Sequence, residues 1–570
     1  MTRPITRVKN FWRSVRQRHF VTSPIPRLRD FWHSQQARLP WDDMGSLTIL
    51  LGLVILAVGF VLRELNLNQY GLNSDEAVYA GQAAGLAGFA KYSQLFGLFR
   101  AHPLLVQLLV SFVYRFTGVN GLAAREVCVV FGMGLIVVIG LIALTLWGRP
   151  AALIAMLFTA LSPYPISISR EMLLDGPEAF FAAVTLLLLC LYVRRRNPLY
   201  LWAAAFGAGL AFVSKETAIL IVPGFLIFLL LAPNLLRRYR DLAVAGAIYV
   251  VTIAPYPLAE LSAGKAGTGF DYFIWQILRP ANHTLLFYPS LFGTMGWAIT
   301  ALAAVGTVVA LRRRNATDIL LLMLALVMGG LLEVWPTKGY EYLLPMLAPI
   351  FLLATTGALF CGTEATKLLA RLRWSPLSLD WSRSQEGAAR PWVTAVFSLV
   401  AVGTLLFTAS PVLSADNSAA ALVATDSGQP TPARVQSLAG SGGLLAGRPT
   451  GLWVKSHALP GSVFLTIGPT FANILQFYSL DRALALSVSP NPLHRNPSYV
   501  PVINADLLIR SGAIQYLVYD AYSASRSSHF ADRLLALAAK FNGVLVYQYD
   551  QAGSTSFNRS ALVLVYEVQP

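Results

Sequence analysis

Two adjacent acids, Asp75 and Glu76, stand in "GLNSDEAVYAGQAAGL" (71–86), just past the first long apolar run of the chain. A carboxylate at a membrane edge can take the proton from an attacking hydroxyl. It can also do something plainer. Asn73 can cap a helix whose third residue is Glu76, and acids suit a helix N-terminus. Such a cap uses one carboxylate at most, so both readings stand. On a helix, Asp75, Tyr79 and Gln82 share one face, while Ala77, Ala80, Gly81 and Ala84 form a small-residue side able to pack closely.

Further polar clusters recur between apolar stretches. In "SISREMLLDGPEAFF" (167–181), Arg170, Glu171 and Asp175 lie where one apolar run ends and the next begins, and Arg170 and Asp175 sit close to the apolar phase, where an uncompensated charge is costly and a partner or ligand is expected. Asp175 followed by Pro177 and Glu178 also reads as a helix start. In "FVSKETAIL" (212–220), Lys215 and Glu216 are either a local ion pair or a lysine aimed at a phosphate with its neighbour beside it. In "WPTKGYEYLLPMLAP" (335–349), Lys338, Tyr340, Glu341 and Tyr342 form a polar turn; the tyrosines are ordinary interfacial aromatics, but Lys338 beside them is more suggestive. His102, next to Pro103, is a lone histidine, for which a bland role is the commoner one.

The elements that must position these groups are membrane spans. The chain has 570 residues, of which 55% are hydrophobic and 13% charged, too apolar for a soluble domain of this length. Apolar runs long enough to cross a bilayer fall near 46–63, 124–146, 151–166, 173–193, 199–213, 217–233, 242–260, 291–311, 318–335, 341–360 and 391–411. The net charge is +16, but the Lys and Arg cluster between spans, so topology explains them better than nucleic-acid binding does. "WGRP" (147–150), "RRRN" (194–197), "RRYRD" (237–241), "RRRN" (312–315) and the stretch 362–390 fall at every second turn, together with the Arg-rich start. The positive-inside rule places these in the cytoplasm and the remaining connectors, with all the polar clusters above, on the outer face. The segment 102–118 contains Gln107 and Arg115 and would break the alternation as a span, so it reads as a helix at the outer interface. The expectation is a polytopic α-helical protein of about eleven spans.

Residues 1–45 form a basic cytoplasmic segment with a duplicated motif, "PITRVKNFWRS" (4–14) and "PIPRLRDFWHS" (24–34), suited to an amphipathic helix on anionic lipid. They show no cleavable signal pattern, so 46–63 reads as an uncleaved anchor. Residues 412–450 have linker composition, and 451–570 alternate β-like runs (462–468, 515–520, 543–550, 561–568) with helix-like stretches, as a small extracytoplasmic α/β domain does. No nucleotide-binding glycine loop occurs there, and Cys128, Cys190 and Cys361 leave the region without an internal disulfide.

The ordered set of an outer Asp-Glu pair, His-Pro, Ser-Arg…Leu-Leu-Asp, Ser-Lys and Tyr-Leu-Leu-Pro resembles the GT-C class of membrane glycosyltransferases over roughly 46–411. The nearest branches are the protein O-mannosyltransferases, the aminoarabinose transferase of lipid A and the bacterial or archaeal Rgt-like, flippase-associated relatives. The resemblance implies inverting transfer of a sugar from a polyprenyl-phosphate donor to a hydroxyl of a protein, lipid or glycan, on the outer face of the cell membrane. It implies Asp75 as the general base, with Glu76 orienting it or contributing to a divalent metal site where a branch uses one, and Asp175 on the acceptor side. Arg170, Lys215 and Lys338 would hold the departing phosphate. His102, Tyr79, Glu216, Tyr340, Glu341 and Tyr342 would complete the pocket. Two departures stand out: "AHPLL" has one proline where relatives often have two, and Glu341 stands where many relatives carry a cation.

Two other classes compete. A flippase for a lipid-linked sugar would show repeated spans and broken mid-membrane helices, whereas here no repeat of spans is visible and the charges gather at one face. A scaffold whose C-terminal region binds a partner would tolerate loss of the outer acids.

Overall fold

The computed structural model describes residues 45–68, 71–371, 446–550 and 561–569. The duplicated basic motif, the expected span 391–411 and most of the expected linker lie outside them.

Six helices among the described residues are long and apolar enough to cross a bilayer: Gly45–Glu64, Gly121–Trp147, Asp175–Arg195, Tyr239–Ser262, Ala316–Val334 and Tyr340–Ala365. Two bent pairs raise the number to eight if each counts as one span. Pro198–Ser214 and Glu216–Leu231 are shorter apolar helices. The chain is a multi-pass helical membrane protein. The first described helix, Gly45–Glu64, exposes Ile49, Leu50, Val54 and Phe60 and buries Gly52, Gly59 and Arg63, the inside-out distribution that acyl chains permit and water does not.

Local sequence explains the corners. In both "RRRN" turns the third arginine adopts the left-handed conformation that ends a helix (Arg196 φ 58°, Arg314 φ 52°). The asparagine after it then caps the next helix: Asn197 Oδ1 accepts from the Leu199 amide and Asn315 Oδ1 from the Asp318 amide. One tetrapeptide thus serves as stop, start and positive anchor. Two spans differ from expectation. The run 151–166 ends as a straight helix at Leu161, because Pro163 and Pro165 lack the amide hydrogen that would continue the ladder, and Pro163–Ser169 turns away by 60°. The run 291–311 becomes a straight helix only at Trp297, since Gly296 (φ 103°) breaks it and its two pieces meet at 113°. The segment 102–118 forms the 13-residue helix Leu105–Thr117, which buries Val106, Gln107, Val110, Ser111 and Tyr114 and exposes Leu108, Phe112 and Phe116.

The C-terminal described residues begin with the helix Gly447–His457, which opens before the expected boundary at 451. A five-stranded sheet follows: β1 (Val463–Thr466), β2 (Arg482–Ala485), β3 (Tyr516–Asp520), β4 (Val544–Asp550) and β5 (Ala561–Glu567), in the order β2-β1-β3-β5-β4. β1 pairs parallel with β2 and β3, while β5 pairs antiparallel with β3 and β4. β2 was not legible in the sequence because "RALA" has no β-branched or aromatic residue. The helix Pro469–Ser479 packs this unit onto the rest: Ile474 and Phe477 share a core with Ala77, Ala80 and Phe96. The small side of the Ser74–Leu86 helix is what admits them. A Cβ on Gly81 would lie 2.3 Å from a ring carbon of Phe96.

The tightest helix crossing joins Trp297–Arg313 to Leu347–Arg371. A Cβ added at Gly306 would sit 1.8 Å from the Leu353 carbonyl oxygen, and one at Gly357 would sit 2.0 Å from that of Leu302. Backbones approach this closely only where both residues are glycine. Gly306→Ala should therefore cost on the order of 1–3 kcal/mol through forced separation of the helices. Thermal unfolding of the detergent-purified variant checks this, and an unchanged midpoint would contradict the crossing.

Candidate active site

Asn73 begins the site. Its Oδ1 accepts from the amides of Asp75 (3.0 Å) and Glu76 (2.9 Å), and its own amide donates to Glu76 Oε2 at 2.8 Å. This is a complete capping box. Glu76 does more than cap. Arg125 grips it with two charge-assisted bonds, Nε to Oε1 at 2.7 Å and Nη2 to Oε2 at 2.8 Å. The Met172 amide donates to Oε1 at 2.8 Å. Both charged groups are buried.

With Glu76 turned inward, Asp75 points the other way. It lines a cavity of about 100 Å³ together with Tyr79, Gln82, Arg100, His102, Asp175, Lys215, Tyr272, Glu341, Tyr342 and three residues of the C-terminal unit, Asn496, Ser498 and Tyr499. The face formed by Asp75, Tyr79 and Gln82 is therefore the face the periodicity predicted. Asp75 is open to the cavity although protein surrounds it. That partial desolvation pushes its carboxyl pKa above the usual range, attraction to His102 and Lys215 opposes the push, and repulsion from Asp175 and Glu76 adds to it.

The other clusters contribute unequally. Asp175 opens its helix without capping it: its Oδ1 instead accepts from Lys215 Nζ at 2.7 Å, in a buried pair. Lys215 also sits over the ring of Tyr342, 4.1 Å from the centroid. Burial alone would lower the Lys215 pKa, but Asp175, Glu341 and Glu178 outweigh it and raise it. Lys215 and Glu216 do not pair with each other. Glu216 turns to His102 Nδ1 at 2.9 Å, and the His102 ring stands edge-on to Tyr79 (5.9 Å) and Tyr272 (5.2 Å). Glu216 thus backs the cavity from behind His102.

Five expected site residues do not line the cavity: Glu216, which stands behind His102, and four others. Glu76 is consumed by Arg125. Arg170 donates to the Leu65 carbonyl, back toward the first span. Lys338 is held by Glu333 (3.6 Å) and the Thr284 carbonyl (3.1 Å), because Glu333 at the end of the preceding span captures it. Tyr340 donates its hydroxyl to Glu171 Oε2 at 3.0 Å. Glu171 is itself buried, with no hydrogen-bond partner for Oε1 among the described residues, and burial followed by repulsion from Glu76 pushes its pKa well up. Sequence reading missed Arg100, Tyr272, Asn496, Ser498 and Tyr499. Arg100 lies two residues before His102 in "FRAHP", a signal that was available; the C-terminal residues gave none.

Glu76 is a poor metal ligand here, since Arg125 and two backbone amides already occupy its oxygens. Among the described residues no three His, Cys, Asp or Glu side chains are grouped so as to hold a metal ion.

Comparison with known proteins points one way. Residues 101–258 match the family model described as dolichyl-phosphate-mannose-protein mannosyltransferase. The putative mannosyltransferase YkcB of Bacillus subtilis (strain 168) is 29% identical over 121 residues, a match spanning 21% of this chain and only 17% of that protein. ArnT from Cupriavidus metallidurans, solved bound to undecaprenyl phosphate, superposes with a TM-score of 0.59 at 17% identity, over 91% of this chain and 98% of that one. The apo oligosaccharyltransferase of Archaeoglobus fulgidus gives 0.57 at 13% identity, over 91% and 75%. The fold is the one shared by ArnT and the archaeal oligosaccharyltransferase, and the family model and the Bacillus subtilis relative are similar to the same kind of membrane protein that the motifs resemble.

Asp175→Asn leaves Lys215 charged and buried without its counter-ion, at a cost of about 3–5 kcal/mol. The double variant Asp175→Asn, Lys215→Met should recover most of that. Melting midpoints of the wild type and of the single and double variants in detergent decide the matter: equal midpoints for all three would remove the pair as a structural element.

Proposed function

We propose that the chain is an integral membrane glycosyltransferase that moves a sugar from a polyprenyl-phosphate donor to an acceptor hydroxyl on the outer face of the cell membrane, with inversion. The N-terminus is cytoplasmic and the C-terminal unit extracytoplasmic. The observation that carries this reading is the convergence of Asp75, Asp175 and Lys215 on one cavity from three separate connectors. The donor class is taken from ArnT, whose structure holds undecaprenyl phosphate.

Asp75 is the base. As the acceptor oxygen bonds to the anomeric carbon, its proton passes to the Asp75 carboxylate. The bond from that carbon to the phosphate oxygen breaks, and the phosphate keeps the electron pair. Asp75 suits the task because it lines the cavity with no direct ion-pair partner among the described residues, a property it shares there with Glu341, and because it is the acid that the motif resemblance marks. Its raised pKa makes it a stronger base than a free aspartate. Asp175, tied to Lys215, orients the acceptor and holds the lysine in place. His102 is kept in position by Glu216 and frames the reacting groups.

Asp75→Asn should lower transfer by roughly 10²–10⁴-fold while leaving membrane insertion and the melting midpoint intact. Incubating membranes with radiolabelled polyprenyl-phosphate sugars, and following which acceptor gains label, measures it; full activity in the variant would sink the assignment. A pH profile gives a second check. The base must be ionised, so transfer falls as pH drops through the Asp75 pKa. Because that pKa is raised, the acid limb should lie above the ~3.9 of a free aspartate. Lys215→Met removes an attraction that keeps Asp75 ionised and should move the limb to still higher pH.

A further inference from the structure

One cation of the cavity has no anionic partner among the described residues. Arg100 lines the cavity, half-buried, and its guanidinium has no hydrogen-bond or ion-pair partner among the described residues. What steadies it is the ring of Tyr499, 5.6 Å from its centroid. Tyr499 belongs to the C-terminal unit and is itself fixed. The buried Asn473 donates through Nδ2 to the Tyr499 hydroxyl at 2.9 Å and to Ser74 Oγ at 3.1 Å. Ser498 Oγ donates to the Arg100 carbonyl at 2.9 Å. Ser74 is the first residue of the helix that carries Asp75. The network that sets the proposed base therefore also sets this arginine.

The remaining candidates for a phosphate fall short. Arg170 and Lys338 turn elsewhere, and Asp175 neutralises Lys215. Charge developing on a departing phosphate needs donors aimed at it, and a guanidinium supplies a planar fork of them.

We propose that Arg100, aligned by Tyr499 of the C-terminal unit, binds the phosphate of the lipid-linked donor. The C-terminal unit thereby completes the active site instead of forming a separate module. This rests on the donor reading above. When the bond from the anomeric carbon to oxygen breaks, the phosphate oxygen takes the electron pair and the Arg100 N–H groups receive the charge. The proton of the acceptor goes to Asp75 and none moves at Arg100. Arg100 touches the donor, whereas Tyr499 is a positioning residue.

The test is equilibrium binding of undecaprenyl phosphate, and separately of undecaprenol, to the full-length protein in nanodiscs. Arg100→Gln should weaken the phosphorylated lipid roughly tenfold or more and leave undecaprenol unchanged, which also reports an intact fold. Arg100→Lys should retain part of the affinity. Tyr499→Phe keeps the ring and should bind as wild type, whereas Tyr499→Leu should lose affinity for the phosphorylated lipid alone. If Arg100→Gln binds undecaprenyl phosphate as tightly as wild type does, the assignment is overturned and the donor reading stands. If wild type itself fails to prefer undecaprenyl phosphate over undecaprenol, the donor reading falls and takes the assignment with it.

Discussion

The buried bidentate pair of Arg125 and Glu76 is the interaction on which the site depends. Arg125 sits on the Gly121–Trp147 span and also donates to the Leu67 carbonyl (2.8 Å) and the Gly71 carbonyl (2.9 Å). Glu76 gathers the capping amide of Asn73 and the amide of Met172. One carboxylate and one guanidinium thus tie the end of the first span, the Ser74–Leu86 helix, the long second span and the loop before Asp175. Such a pair need not add net stability, since desolvating two charges offsets much of their attraction. What it adds is registration. Every donor and acceptor must find its partner at once, or a charge stays buried alone.

That registration decides what Asp75 can do. Adjacent residues on a helix point about 100° apart, so fixing Glu76 inward aims Asp75 outward, into the cavity. The two acids divide the labour that the sequence leaves joined: one is neutralised and structural, the other is unpaired and open. The same division recurs at Lys215 and Glu216, which turn to Asp175 and His102 respectively. Neighbours with opposite duties are economical at a membrane surface, where short connectors must supply both the scaffold and the chemistry.

Much of this was legible in the sequence, for a physical reason. Helical periodicity and charge at corners are local signals, so the apolar helices up to 360, though not the number that cross a bilayer, the capping box at Asn73 and the shared face of Asp75, Tyr79 and Gln82 could be read directly. Partner choice is not local. Lys338 looked like a phosphate ligand because nothing in "WPTKGYEY" says that Glu333 on the preceding span reaches it first. Glu76 looked like a catalytic companion because its partner Arg125 is 49 residues away. Breaks within spans, at Pro163 and Gly296, carried a residue-type signal, but apolar content alone smooths over it.

The contribution of residues 496–499 is the least predictable feature, and it bears on why the C-terminal unit is fused to this chain. A module tethered only by a linker could reach the membrane face in many orientations. Here the Tyr478 hydroxyl accepts from the Leu72 amide at 2.8 Å, Tyr92 donates to the Phe477 carbonyl at 3.3 Å, and Phe477 itself lies in the core that holds the Ser74–Leu86 helix. These contacts all fall on the helix Pro469–Ser479, the segment that follows β1. The sheet fixes that helix, and the helix seats Asn473 between Ser74 and Tyr499. A wall built this way holds its polar groups by packing and not by loop chance, which is how a preorganised site is supported.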